Sequence, residues 1–71
     1  MIELNERTVK ITVADESVIT LIVFKEKDCL GELPVPQAQD YAEMSNLPNG
    51  EYTVLHIDSD LNQKLKESFS I

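Results

Sequence analysis

Apolar and polar residues alternate with a period of two through most of this chain, which is the mark of β-strands half buried against a core. Thr8 to Ala14 reads TVKITVA, with Val9, Ile11 and Val13 on one face and Thr8, Lys10 and Thr12 on the other. Its β-branched residues suit a pleated surface. After the polar turn Asp15-Glu16-Ser17, the run Val18 to Lys25, VITLIVFK, is almost continuously apolar. That pattern predicts a central strand, covered on both faces or with one face in the core and one at an interface. Glu26-Lys27-Asp28 predicts the next turn, and Leu30 to Val35 a short edge strand with a bulge or bend at Gly31 and protection from Pro34 and Pro36. Gln39 to Met44 fits either one helical turn or a short strand.

Asn46-Leu47-Pro48-Asn49-Gly50 is the clearest turn signal, because Pro fixes φ and Asn and Gly accept positive φ. Glu51 to Asp58 then sets Tyr52, Val54 and His56 against Thr53, Leu55 and Ile57. Past a polar loop, Lys64 to Ile71 places Leu65, Phe69 and Ile71 on one face, with Glu67 as the exception, and Lys64, Lys66, Ser68 and Ser70 on the other. Strands about ten residues apart predict an all-β fold: a small antiparallel β-sandwich (Ig-like) or barrel of about six strands.

Seventy-one residues predict a single domain. A chain of this size buries only about 60% of its unfolded surface, so nearly every apolar cluster is needed in the core. The apolar fraction of 42% is too high for a disordered chain. Thirteen acids against six bases give a formal charge of −7. That balance argues against direct nucleic-acid binding, which needs a basic footprint, and against docking on an anionic membrane. It favours solubility, repulsion between copies or attraction to a basic partner.

No segment reaches the roughly 18–20 apolar residues of a membrane span, and the N-terminal residues lack the basic-then-apolar order of a signal peptide. Two locations remain open: the cytoplasm if Met1 is the native start, or the cell surface, medium or a virion if the chain is a processed module.

Candidate chemistry is thin. Cys29 is the single cysteine and His56 the single histidine, too few for a zinc site, which takes about three or four such ligands. A Cys29–His56 nucleophile pair is conceivable, but a packed or idle thiol and a strand histidine at the core edge or surface are the stronger readings. Asp58, Asp60 and Asn62 match the first, third and fifth positions of a calcium loop. The pattern then fails, with Gln63 where the turn needs Gly and Phe69 where a bidentate Glu is needed, which leaves a solvated hairpin loop as the stronger reading and a weak oxygen-ligand calcium site as the alternative. No Gly-rich phosphate loop and no nucleophile elbow is present. These residues predict neither an enzyme, nor a cofactor, nor a small-molecule substrate.

The run MSNLPNGEYTVLHI, followed after a polar loop by KLKESFSI, resembles the close of Bacteroidetes-type C-terminal β-sandwich modules. These include sorting domains of the type IX secretion system and related small secreted proteins. Leu47, Gly50, Tyr52, Val54, Phe69 and Ile71 carry the likeness. The Pro-Asn-Pro entry of the sorting domains is missing, and Glu67 dilutes the basic final strand. The resemblance implies a sandwich fold and a surface or secreted setting.

The expected function is a non-enzymatic protein-interaction or structural module whose partner is a protein, self or other. Ile22, Phe24, Tyr41, Tyr52, Asp58 and Asp60 are its candidate contact residues, with association through the VITLIVF strand and an exposed edge. The alternative is a small acidic inhibitor that mimics nucleic-acid charge and blocks a basic partner.

Overall fold

Seven strands form among the described residues of the computed structural model, residues 1–36 and 38–71. They are β1 (Ile2–Asn5), β2 (Thr8–Thr12), β3 (Val18–Lys25), β4 (Asp28–Pro34), β5 (Tyr41–Met44), β6 (Glu51–Asp58) and β7 (Gln63–Ser70). A three-stranded sheet runs β1-β2-β5 and a four-stranded sheet runs β4-β3-β6-β7, every pairing antiparallel. The two sheets stay separate, so the fold is a sandwich and not a closed barrel. In the lettering of Ig-like sandwiches, strands A, B and E face strands C′, C, F and G.

The expected boundaries of the third and sixth strands hold to the residue, and Val18–Lys25 is central, between β4 and β6. Other bounds shift: β2 ends at Thr12 and not Ala14, β4 spans Asp28–Pro34 and not Leu30–Val35, and β7 spans Gln63–Ser70 and not Lys64–Ile71. Three further features depart from the expectation or refine it. The first strand, Ile2–Asn5, was not anticipated, so there are seven strands and not about six. The ambiguous Gln39–Met44 segment supplies a strand, because Ala42 and Met44 pair with Ile11 and Val9 and extend the same inner face. Tertiary pairing here overrides the helical propensity of Ala, Glu and Met. Finally, the bulge near Gly31 lies between Val23 and Phe24 of β3, which pair with Gly31 and Cys29 and leave Leu30 as the extra residue on β4.

The core fills the space between the sheets. Val9 and Ile11 of β2 and Ala42 of β5 pack against Leu21 and Val23 of β3 and Tyr52 and Val54 of β6. Ile2, Val13, Leu33, Val35, Met44, Phe69 and Ile71 close its borders. Full burial of one such aliphatic side chain contributes about 1.5–3 kcal/mol, against a typical net domain stability of about 5–15 kcal/mol. Each inner position is therefore a large fraction of what holds the fold.

The Leu47-Pro48-Asn49-Gly50 turn makes a tyrosine corner, a feature of Ig-like sandwiches. Tyr52 is 1% exposed, and its hydroxyl donates to the Pro48 carbonyl at 2.6 Å. Its ring stacks on Phe69 with centroids 4.9 Å apart and planes 5° apart. Gly50 and Ile71 exchange both backbone hydrogen bonds beside this corner, at 3.1 and 3.0 Å, and so tie the chain end to it.

Replacing Tyr52 with Phe removes the corner hydrogen bond and keeps the stacked ring. The expected loss is about 1 kcal/mol, seen as a lower urea midpoint with an unchanged slope. An unshifted midpoint would show that the corner bond contributes nothing net.

Candidate functional site

Cross-strand register decides what each outer face of the sandwich presents. On the three-stranded sheet, Glu3, Lys10 and Glu43 form one outward row, with Asn5, Thr8, Thr12 and Tyr41 beside it. The Lys10 ammonium lies 4.4 Å from the centre of the Tyr41 ring, a cation–π contact. This face is polar and charged, as a solvated sheet face is.

The outer face of the four-stranded sheet is different. Three successive rows cross it in the order β4, β3, β6, β7: Cys29–Phe24–Thr53–Ser68, Glu32–Ile22–Leu55–Lys66 and Pro34–Thr20–Ile57–Gln63. Phe24, Ile22 and Leu55 form an apolar strip over the two central strands, and the next row ends it with Ile57, which is buried at 7% exposure. Among the described residues no helix or further strand covers it. Ile22, Phe24 and Leu55 are half-buried. An open recess of about 370 Å³ lies on this face, lined by Phe24, Glu26, Thr53, Leu55, Gln63 and Lys66.

The six candidate contact residues therefore separate. Ile22 and Phe24 sit together on the apolar strip. Tyr41 lies on the opposite outer face, under Lys10. Tyr52 is a core residue and has no exposed surface to offer a partner. Asp58 and Asp60 lie at the end of the sandwich, where Asp60 is exposed but the Asp58 carboxylate is engaged inside its own loop. β3 is hydrogen-bonded on both sides, so the VITLIVF strand offers a face and leaves the edges to other strands.

That loop is organised by Asp58, whose Oδ1 accepts from the Asp60 and Asn62 backbone N–H groups, both at 2.9 Å. The Asn62 N–H leads in holding the Asp58 carboxyl below the ordinary aspartate range; burial opposes this, and the Asp60 N–H assists. Asp15 is lowered similarly, first by the Ser17 hydroxyl and then by the Ser17 N–H. The Asp58–Asn62 spacing thus builds an Asx-type loop, and among the described residues no group of three His, Cys, Asp or Glu side chains is placed to hold a metal ion.

His56 is fully buried on the inner face of β6. Its Nδ1 accepts from the Ala14 N–H at 3.2 Å, so the ring proton sits on Nε2, which donates to Glu67 Oε1 at 2.7 Å. The Met1 amino nitrogen approaches the same oxygen at 3.1 Å. Cys29 is exposed and belongs to an outward row, on the other side of the sheet from the inward-facing His56. The two do not form a nucleophile pair, and the thiol is not packed.

The chain matches no protein-family model, no curated protein and no solved structure. Its function must be read from these faces alone. The Leu47–Tyr52 turn is built around the corner hydrogen bond, a feature of the fold and not of a particular function.

Sequence reasoning did not pair Glu67 with His56. The available signal was the break in the apolar alternation of β7, which falls two residues after Leu65, the partner of His56 across the ladder. An inward acid next to a buried imidazole satisfies a polar group that the apolar core cannot.

Two predictions follow from this chemistry. Glu67→Ala leaves the buried His56 Nε2–H without its acceptor and costs about 1–3 kcal/mol. Because His56→Leu also removes the acceptor of the Ala14 N–H, the pairing is read from a cycle of Glu67→Leu, His56→Leu and the double variant by chemical denaturation: the double variant should lose less than the sum of the two single losses, and additive losses would contradict the pairing. For Asp58, the folded-state carboxyl titrates below its unfolded value, so its contribution is present above the ordinary aspartate range and is lost as pH falls through the lowered folded value. Asp58→Asn should melt below the parent at neutral pH, with the gap closing in acid; a pH-independent gap would count against the carboxylate's role.

Proposed function

We propose that this protein is a non-enzymatic interaction module that docks protein through the outer face of its four-stranded sheet. The observation that supports this reading is the contrast between the two outer faces. Glu3, Lys10 and Glu43 solvate one, while half-buried Phe24, Ile22 and Leu55 line the other. In a domain this small, apolar residues outside the core contribute little to folding and favour contact with a second apolar surface. The face, and not an edge, carries the association. β4 is bulged and ends at Pro34, β7 bears Lys64 and Lys66, and β1 and β5 are four residues each, all devices that discourage strand addition.

One observation favours a second reading, the acidic inhibitor. The β2–β3, β4–β5 and β6–β7 connections meet at one end of the sandwich and bring together Asp15, Glu16, Asp40, Asp58 and Asp60, with Lys64 as a nearby base. Charge at such an end would draw in a basic partner and make binding weaken as salt rises.

Ile22→Lys separates the two. Ile22 faces outward between Glu32 and Leu55, so the variant is expected to fold, with the circular dichroism of the parent. In gel filtration of host extract, the parent should elute in a larger species at both low and high salt, and the variant at the monomer position. A variant that stays in the large species shows that the apolar face is not the contact. A large species that dissolves in salt for parent and variant alike favours the acidic end.

A further inference from the structure

We infer that the occupant of the apolar face is a second copy of this chain, stacked face to face about a twofold axis that runs along the strands. This rests on the docking reading above and adds the identity of the partner.

The argument is the register of the middle row. Glu32 stands on the β4 side, Ile22 and Leu55 in the centre, and Lys66 on the β7 side. A twofold axis in the plane of the interface and parallel to the strands exchanges the two edges. It lays β4 of one copy over β7 of the other and β3 over β6. Each Glu32 then faces the Lys66 of the second copy, and each Ile22 faces a Leu55. One substitution therefore affects two symmetry-related contacts, as in any isologous interface. In the row above, Phe24 comes over Thr53 of the second copy, and in the row below, Thr20 comes over Ile57. Polar residues thus flank an apolar centre, the usual anatomy of a protein interface.

The stacking geometry is the one the fold already uses inside. Two twisted antiparallel sheets pack aligned at about 10 Å, with their strands about 30° apart. Adjacent strands lie about 4.8 Å apart, so Glu32 and Lys66 are separated by roughly 14 Å across the sheet. Both side chains are long enough to meet their counterparts over that gap while the shorter central residues fill it.

Net charge is the obvious objection, since two copies at −7 repel. The placement of the acids answers it. Within the three rows there is one acid, Glu32, and one base, Lys66. Glu3 and Glu43 lie on the opposite face, and Asp15, Glu16, Asp40, Asp58 and Asp60 lie in or beside the connections at one end. Glu6, Glu26, Asp28 and Glu51 lie at or beside the turns of the other end, with Glu26 also reaching the recess on this face. The middle rows of this face are close to neutral.

Sedimentation of the purified protein over a range of concentrations tests the inference. The parent should form a dimer. Glu32→Lys and Lys66→Glu should each place like charges at two symmetry-related positions and weaken the dimer by at least about tenfold. The double variant Glu32→Lys/Lys66→Glu restores both pairs with their signs exchanged, and should return the affinity to near that of the parent. A different protein as partner would not be recovered by this exchange. A purified parent that stays monomeric while its extract species remains large and sensitive to Ile22→Lys overturns the second-copy assignment and leaves the docking face standing. A dimer indifferent to both single substitutions, or one not rescued by the double variant, overturns the proposed register. Circular dichroism of all four proteins checks that each is folded.

Discussion

The inner face of β6 is the constraint on which the rest of the structure depends. Tyr52, Val54 and His56 occupy it in succession, all at 1% exposure or less, and two of them carry polar atoms into a very small core. Each polar atom requires a partner from a different part of the chain. The Tyr52 hydroxyl takes the Pro48 carbonyl of the incoming turn, His56 Nε2 takes Glu67 of β7, and His56 Nδ1 takes the Ala14 amide of the β2–β3 connection. These three bonds fix where β6 begins, which residue of β7 points inward and how close the β2–β3 connection comes. Apolar packing alone tolerates small slips, whereas an unpaired buried donor does not. The polar members of this core thus specify register, while Val9, Ile11, Leu21, Val23 and Val54 supply most of the burial.

Register carries consequences to the outside, because the two faces of a strand are read from the same alternation. Once Leu21 and Val23 are inward, Thr20, Ile22 and Phe24 are outward. Once Tyr52, Val54 and His56 are inward, Thr53 and Leu55 are outward. On β2 and β5 the same logic turns Lys10, Thr12, Tyr41 and Glu43 to water. The near-continuous apolar run of β3 is thus two runs interleaved: one holds the sandwich together, and the other lies on a surface that no element of the described chain covers. The functional reading follows from that interleaving and does not require catalytic geometry.

Much of this was legible in the sequence, and the gaps have physical causes. The alternation of Val9 with Ile11 and of Tyr52 with Val54, and the Leu47–Gly50 turn, sufficed for the sandwich and for its central strand. β1 escaped notice because its two apolar residues, Ile2 and Leu4, are too few for a periodic signal. Its hairpin turn, Glu6-Arg7, also has none of the usual turn residues, although Glu6 adopts a φ of 58°. Glu26 does the same in the β3–β4 turn, at 51°. Backbone that a glycine would occupy with less strain is invisible when the residue there is Glu. Sequence also could not say which of its candidate contacts were available. Tyr41, Tyr52 and Asp58 were chosen for their chemistry, and their availability depended on facing and hydrogen bonding that only the pairing of strands determines.

An uncovered apolar sheet face is a hazard unless association through it is orderly, and the edges show how order is kept. A sheet with a sticky face and open edges grows without limit, since edge pairing repeats from copy to copy. Here β4 is interrupted by the Leu30 bulge and closed by Pro34, and β7 presents Lys64 and Lys66. With both edges of the four-stranded sheet blunted, the face is left as the apolar route to contact, and a face contact between two sheets is closed once it forms. The surplus of acid belongs to the same scheme. Placed at the two ends and on the opposite outer face, it opposes contact between copies there and leaves the near-neutral middle rows free of that repulsion. On the proposed docking reading, the charge that argues against indiscriminate association would direct a second copy to a single orientation.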